Sequence, residues 1–437
     1  MAIIKKMLVL LLLLFPIAGL LMVTRTPQVT KLLTHPLEVK TAVTNYQQIS
    51  HSLFNSPGLS EITLDVTDLH AISQTGAHIV PNLATRVQMQ DNVLTLNATL
   101  NLSHLVDNTY INASCTFTER IHKPLLESCQ VGRLYLPSSL VINSLSALLT
   151  LFEQDNLNDI FLQLMNQSTL TSNQLTLRII KDDNLKQAIK QDARQIVSHF
   201  KLFSPKQRVR IDSDILIDYL HQFSSDPRLF GRGDISLALV FNRAFAHAAH
   251  RSKHSHATTE NMHALFAVAL TFASRGFETM LDADNEQKRA RINNILGLQS
   301  FKLARIHTRH DLALHFLYSA VIEQLSNEDI AFNVGELKEL FDANRGGSQY
   351  DLSDLVAGVA GARFAKFISQ DEHSAQHAQK MLATNFFEDI FMPNLAQYPQ
   401  KMDMATLEQQ RQSSNDQYTK IINNIYQDVA ALRLYGF

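Results

Sequence analysis

The sequence predicts an α+β protein that begins with a membrane anchor, continues into an exported domain built on an antiparallel sheet, and ends in a mostly helical domain. Three observations predict this fold class. An uncharged apolar run occupies positions 7–23, apolar and polar residues alternate in several segments of 60–202, and apolar residues recur at spacings of three and four beyond residue 216. A period of two is typical of a half-buried strand, whereas spacings of three and four are typical of an amphipathic helix.

The N-terminal segment "MAIIKKMLVLLLLLFPIAGLLMVTRTPQ" sets the expected location of the chain. The seventeen uncharged residues from Met7 to Val23 would form about 25 Å of helix, which is a short membrane span. Lys5 and Lys6 precede the run and favour a cytoplasmic N-terminus with an exported remainder. A cleaved signal peptide is the alternative for residues 1–25, although the run is long for such a peptide and no A-x-A site follows it.

Composition argues against several functional classes. The 437 residues are 45% hydrophobic and 18% charged, which are globular values. A net charge of -2 and a pI near 6.8 predict no general attraction to nucleic acid. Because the sequence contains neither GxGxxG nor a P-loop lysine motif, nucleotide-driven chemistry is not expected.

Changes of pattern divide the chain. Its predicted segments are a transmembrane anchor or signal at 1–25, a Pro-punctuated stalk at 26–59, an exported α+β domain at 60–202, a linker at 203–215, a helical domain at 216–370 and a polar helical tail at 371–437. In "EITLDVTD" and "NVLTLNATLNLS" apolar residues alternate with Thr, Asn and Asp, which predicts one antiparallel sheet with a wet face. Two cysteines, Cys115 and Cys129, lie in strand-like segments that are able to pair, so we expect a disulfide, with two buried free thiols as the alternative.

A polar set lies in the predicted helical domain. In "HDLALHF" Asp311 and His315 are four residues apart, so a helix would present both on one face. Glu339 and Asp342 would share a stripe of a second helix, and Asp354 lies near the start of a third. The candidate catalytic residues are therefore His315 as base, Asp311 as its orienting partner, and the carboxylates Glu339 and Asp354. The candidate ligands of a divalent metal are His315, Glu339, Asp342 and Asp354.

Structural roles are the alternative for the same residues. Asp311 and Asp351 would then cap helices, and His315 would be a core histidine satisfied by one hydrogen bond. A second candidate cluster contains His247, His250 and His254, whose spacing one helix face could present to a metal. Because "HRSKHSHATTEN" is a polar segment, an exposed helix end is the simpler interpretation of that cluster.

Residues 310–364 also carry an ordered set of motifs. The residues in this order are Asp311, His315, Phe316, Lys338, Glu339, Asp342, Arg345, Gly347, Ser348, Asp354, Leu355 and Gly361. Their order resembles that of the VanZ family of small membrane proteins and of YfiM-like uncharacterised bacterial envelope proteins. The resemblance implies no defined reaction. The chain departs from the pattern at Gly358, where a polar residue is expected, and at Asp351, where Ser is usual.

These observations together predict a single-pass protein of the bacterial inner membrane, anchored by residues 7–23, with the bulk of the chain in the periplasm. Two functional classes stay open. The first is a non-catalytic binding or assembly factor that contacts an envelope protein or a lipid-like ligand through its sheet. The second is a metal-dependent or acid–base enzyme that acts on an envelope substrate through His315, Glu339 and Asp354.

Overall fold

The computed structural model describes most of the chain in segments. The described residues are 21–30, 41–42, 44–45, 48–49, 58–80, 82–103, 106–119, 125–151, 154–181, 211–274, 277, 286–297, 300–325, 350–398, 401–402, 406, 409–410 and 417–436. They belong to two compact units, one within 1–196 and the other within 197–437. The predicted α+β class is confirmed, since antiparallel sheets and helices occur together.

The first unit combines strands with helices in its described part. Its elements are β1 (Val23–Thr24), β2 (Gly58–Asp65), α1 (Val66–Ile79), β3 (Leu83–Gln90), β4 (Val93–Asn101), β5 (Tyr110–Thr118), β6 (Leu126–Val131), β7 (Leu134–Pro137), α2 (Ser138–Leu151), α3 (Asp155–Gln167), β8 (Thr169–Leu170) and β9 (Gln174–Lys181). The capping box of Asp65 and Asp68 begins α1, because each side chain accepts the other residue's backbone N–H.

Two sheets, rather than the single sheet that we expected, organise this unit. The larger sheet has the order β3-β4-β5-β6-β7, with β1 also paired to β5, and the smaller has the order β2-β9-β8. All of these pairs are antiparallel. The alternation in "EITLDVTD" therefore belongs to a different sheet from that in "NVLTLNATLNLS", and it ends at Asp65, where α1 begins. Periodicity alone does not assign strands to sheets.

The polar row of β4 is covered rather than wet. Asn97 and Thr99 are buried, although their alternation with leucine predicted a solvent-facing row. The segment after β1 lies over them, since the Val29 backbone N–H donates to the Thr99 hydroxyl at 2.9 Å and the Gln28 amide donates to Asn97 at 2.9 Å. On β5, Asn112 accepts the Gln28 backbone N–H at 3.0 Å. The predicted alternation of apolar and polar residues in β4 is correct, but Gln28 and Val29 cover its polar face.

The same contacts correct the predicted stalk at 26–59. Residues 26–29 lie on the larger sheet, and Val29 is buried there. Further along, the Asn45 amide donates to Asp68 in α1 at 2.8 Å. Residues expected to form a spacer therefore belong to the folded unit, at least at these described positions.

Cys115 and Cys129 form a disulfide between β5 and β6, where the two residues are directly opposite in register. Cys129 is buried in a cluster with Leu126 and Ile142, and so the bridge lies under α2 and α3 rather than at the surface. The disulfide joins adjacent strands in the middle of the sheet.

The second unit is mostly helical in its described part. Its elements are α4 (Ser213–Ser224), β10 (Asp234–Ser236), α5 (Leu237–Arg251), α6 (Ala257–Phe272), α7 (Glu286–Gly297), β11 (Leu303–Arg305), α8 (His310–Leu325), α9 (Leu352–Ser369), α10 (Glu372–Thr384) and α11 (Gln417–Ala430). The short strands β10 and β11 pair in parallel, and α5 and α8 follow them.

A cluster of phenylalanines forms the centre of this unit. The Phe241 ring of α5 stacks on Phe364 of α9, with 4.8 Å between centroids. Phe316 of α8 and Phe391 lie 5.9 and 5.1 Å from Phe241. All four side chains are fully buried, and aromatic pairs at such distances add to the stabilisation from burial.

Phe391 lies in the predicted polar helical tail at 371–437. It contributes to the central cluster, and α10 packs on the core through buried Ala375, Ala378 and Leu382. The Asn242 amide of α5 donates to the Leu382 carbonyl at 3.0 Å, at the C-terminal end of α10. The tail is polar on average because one face of α10 is exposed, yet its apolar residues belong to the core.

No helix among the described residues is long and apolar enough to cross a membrane. Positions 7–20 of the predicted anchor lie outside the described residues, as do the expected linker residues 203–210 and the helix expected around Glu339.

Candidate functional site

The candidate site lies where α8 and α9 begin. The chain enters α8 through a turn from Ile306 to Arg309, in which His307 and Thr308 have φ of 46° and 67°. Ile306 and Arg309 exchange two backbone hydrogen bonds of 2.9 and 2.8 Å across it. Two successive residues in the left-handed region are unusual without glycine. The turn places Arg309 immediately before the first residue of α8.

The start of α9 lies against this turn. Asp351 caps α9, because its carboxylate accepts the Ser353 backbone N–H at 2.8 Å. Further along, α8 and α9 touch through their backbones: a Cβ built on Gly361 would lie 2.1 Å from the Phe316 carbonyl oxygen. Only glycine fits at this position, and the contact fixes how the first turns of both helices face each other.

Arg309 joins three carboxylates. Its Nη2 lies 2.7 Å from Asp311 Oδ2, 2.9 Å from Asp351 Oδ2 and 2.8 Å from Asp354 Oδ1. His315 adds a fourth group, with Nε2 3.3 Å from Asp354 Oδ2. These groups come from three parts of the fold: the turn, α8 and the N-terminus of α9. The result is an ion-pair network that connects the two helices.

Burial differs sharply within this network. The side chains of Asp351 and Asp354 are each 11% exposed, and that of His315 is 10% exposed, whereas Asp311 is 53% exposed. The hydrogen bond from Arg309 lowers the pKa of Asp311, and partial burial offsets only part of that effect. The pKa of Arg309 is raised, first by its hydrogen bond to Asp311. The buried carboxylates of Asp351 and Asp354 therefore depend on the positive charge of Arg309 for compensation.

The sequence-predicted residues are partly brought together. His315 and Asp354 do lie side by side, and Asp311 is connected to them through Arg309. His315 lies beside Asp354, and an electrostatic interaction also links it to Asp311, the residue that we expected to orient it. Glu339 and Asp342 lie outside the described residues.

Sequence reasoning missed Arg309, the cation at the centre of the network. It directly precedes the quoted motif "HDLALHF" and stands two positions before Asp311, and this adjacency was the available signal. One of its three carboxylate partners is Asp354, which is distant in the sequence, so only the fold reveals that Arg309 is the central cation.

The arrangement supports a limited range of chemistry. An imidazole beside a carboxylate is able to hold and transfer a proton. Asp354, the expected metal-binding carboxylate that lies among the described residues, faces the Arg309 guanidinium, which already supplies positive charge. Among the residues that the structure describes, no group of three or more His, Cys, Asp or Glu side chains has the arrangement of a metal site.

Gly358, the departure from the VanZ-like pattern, also lies at the contact between α8 and α9. A Cβ built on it would be 3.1 Å from the Ser319 hydroxyl of α8. This distance is tighter than an ordinary contact, so a larger polar side chain would have to displace Ser319. Gly358 therefore allows α9 to lie close to α8, as Gly361 does.

A second arginine-centred network lies on α4, α5 and α6. Arg251 lies 2.8 Å from Asp218 and 2.8 Å from Glu260, and His247 lies 2.8 Å from Asp218. The hydroxyl of Tyr219 donates to Glu260 at 2.9 Å. His247 is thus a hydrogen-bond partner of Asp218 in a partly exposed network between these helices. The metal interpretation of the histidine cluster is wrong for His254, because α5 ends at Arg251.

His263 is a buried histidine with both ring nitrogens engaged. Its Nδ1–H donates to the Thr259 carbonyl at 2.7 Å, and its Nε2 accepts the Asp212 backbone N–H at 2.8 Å. Burial lowers the pKa of His263, and the hydrogen bond to Thr259 offsets only part of this effect. The neutral ring holds the start of α4 against α6.

Replacing Arg309 with Met should destabilise the second unit by about 3 to 5 kcal/mol, because two buried carboxylates would lose their cation. The matched variant Asp311→Asn should cost less than about 1 kcal/mol, since this carboxylate is half exposed. Urea unfolding of both variants measures the difference. Equal losses of unfolding free energy in the two variants would show that burial does not determine how much each ion pair of Arg309 stabilises the second unit.

Lowering the pH below about 6.5 should weaken the second unit through His263. Below pH 6.5 the unfolded chain binds a proton at His263 more readily than the folded chain does, because burial lowers the pKa of His263 in the folded chain. The contribution of the neutral ring to the free energy of unfolding is therefore present above pH 6.5 and is lost as the pH falls, by at most about 1.4 kcal/mol per pH unit. Unfolding free energies from pH 7.5 to 5 should therefore slope less in His263→Gln. The exposed His221→Gln control should keep the wild-type slope, and an unchanged slope in His263→Gln would contradict this account.

Comparison with family models, curated proteins and solved structures finds no match to this chain. The resemblance of residues 310–364 to VanZ-like and YfiM-like proteins therefore stays a prediction. The functional argument depends on the geometry of the chain itself.

Proposed function

We propose that the chain is a single-pass protein of the bacterial inner membrane whose periplasmic part acts by binding an envelope component, as a non-catalytic binding or assembly factor. The observation that carries this proposal is the network around Arg309. The polar residues most suggestive of chemistry face one another across the contact between α8 and α9, and Asp351 and Asp354 are largely buried there. Such a network serves as a scaffold.

The disulfide supports an exported location. Cys115 and Cys129 are the only cysteines of the chain, and they are paired. Disulfides persist in oxidising compartments such as the bacterial periplasm and are rare in the cytosol. The lysines before the apolar run agree with this orientation.

The short connection between the apolar run and the larger sheet supports a position of the first unit close to the bilayer. Leu21 and Met22 are helical, and Val23 and Thr24 directly form β1. The Leu21 carbonyl accepts the Arg133 backbone N–H at 2.8 Å, in the turn between β6 and β7. Val23, which the prediction placed in the anchor, belongs to β1 instead, so a spanning helix would end by Met22 and enter the first unit without a linker.

The pairing of His315 with Asp354 favours one alternative, an acid–base or metal-dependent enzyme that acts on an envelope substrate. His315 would be its base or metal ligand, with Asp354 and Glu339 as carboxylate partners. That function requires a substrate or metal to reach His315, whose side chain is 10% exposed.

Histidine modification of the purified full chain separates the two functions. Under brief treatment with diethyl pyrocarbonate, the exposed His250 and His254 should be modified well before His315, as measured by peptide mass spectrometry. Elemental analysis should find no stoichiometric metal in the wild type, and His315→Ala should only lower stability. Rapid modification of His315, or one metal per chain that is lost in both His315→Ala and Glu339→Ala but kept in His250→Ala, would overturn the proposal in favour of the enzyme.

A further inference from the structure

Helix α2 presents leucine side chains that the described residues of the first unit leave exposed. Leu140, Leu145, Leu148 and Leu151 are 49%, 38%, 48% and 75% exposed. At 100° per residue, Leu140, Leu148 and Leu151 lie within an arc of about 80°, and Leu145 lies about 60° further round the helix. Ile142, which is about 120° or more from Leu140, Leu148 and Leu151, is buried against Leu126 and Cys129. The helix therefore has an apolar inner face and an apolar outer face.

The composition of α2 indicates what this outer face contacts. Its fourteen residues, "SSLVINSLSALLTL", include no charged and no aromatic residue. Contact points between proteins are enriched in Trp, Tyr and Arg, none of which is present. Contiguous exposed leucines on a soluble surface are unfavourable unless an apolar phase or partner covers them. A surface of leucines and small uncharged residues is more compatible with lipid acyl chains than with the polar rim of a protein interface.

The position of α2 along the chain brings it near the end of the apolar run. The turn before β7 contacts that end: Arg133 donates to the Leu21 carbonyl, and a Cβ on Gly132 would lie 2.4 Å from the Met22 carbonyl oxygen. Strand β7 has four residues, and α2 follows it directly. Ser138, the first residue of α2, is five residues beyond Arg133 and is therefore within about 17 Å of the attachment point.

We propose that the leucine face of α2 lies in the outer leaflet of the bilayer that the apolar run crosses. This inference rests on the membrane anchorage in the proposed function. The helix would lie in the interface with its leucines among acyl chains, while Ile142 keeps it attached to the sheet. Because α2 has no cationic side chain, contact depends on apolar burial and not on anionic headgroups. The anchor and α2 together would fix the orientation of the first unit on the membrane.

The chain has no tryptophan, so one introduced tryptophan is a specific reporter. Three full-length variants are compared in phosphatidylcholine vesicles with and without brominated acyl chains: Leu148→Trp on the leucine face, Asn143→Trp on an exposed flank of the same helix, and Leu13→Trp within the apolar run. The Leu148→Trp emission should be blue-shifted and lose roughly half its intensity in brominated vesicles. Leu13→Trp should be quenched as well, whereas Asn143→Trp should change little. Leu151→Trp provides a second reporter on the leucine face.

The variants distinguish failure of this inference from failure of the anchorage. Quenching at Leu13→Trp without quenching at Leu148→Trp and Leu151→Trp would overturn the lipid contact and leave the anchorage intact. An unquenched Leu13→Trp would overturn both. A blue-shifted but unquenched Leu148→Trp would show that protein, such as a second copy of the chain, covers the face, which also overturns the lipid contact.

Discussion

Helices α8 and α9 touch backbone to backbone at Gly361, and this contact constrains the rest of the second unit. With no side chain between the Gly361 Cα and the Phe316 carbonyl, the two helices are in direct backbone contact, and charged groups near their beginnings lie within ion-pair distance. Arg309 then neutralises carboxylates that could not otherwise be buried together. The phenylalanine cluster packs on the same pair of helices through Phe316 and Phe364.

Charge and packing at this contact depend on each other. Asp351 uses one oxygen to cap α9 and the other to bind Arg309, so loss of the arginine would also weaken the start of the helix. His315 pairs with Asp354, which itself binds Arg309. Asp311, His315 and Asp354 thus each have a structural role in this network, which is the observation behind the proposed binding function.

The sequence predicted the local features and missed those that depend on distant segments. Spacing placed Asp311 and His315 on one face of α8, and it recognised the strands around Cys115 and Cys129, because helix and strand periods are local. It could not reveal that residues 24–29 cover Asn97 and Thr99, since a covered polar row and a wet one have the same alternation. Nor could it place Phe391 in the core, because an average over the tail hides a few buried residues. Arg309 was missed because its carboxylate partners include Asp354, which lies forty-five residues further along the chain.

The most direct test of the central claim compares two glycine substitutions in the second unit. Gly361→Ala forces a methyl group against the Phe316 carbonyl, whereas Gly297→Ala, at the end of α7, places one in open space. Hydrogen exchange in urea, read on peptides from α8 and α9, gives the free energy of opening this pair. We expect Gly361→Ala to lose about 3 kcal/mol and Gly297→Ala to change by less than about 1 kcal/mol. If both variants kept wild-type protection in α8 and α9, the close contact would not hold the network together, and the scaffold interpretation of His315 and Asp354 would be wrong.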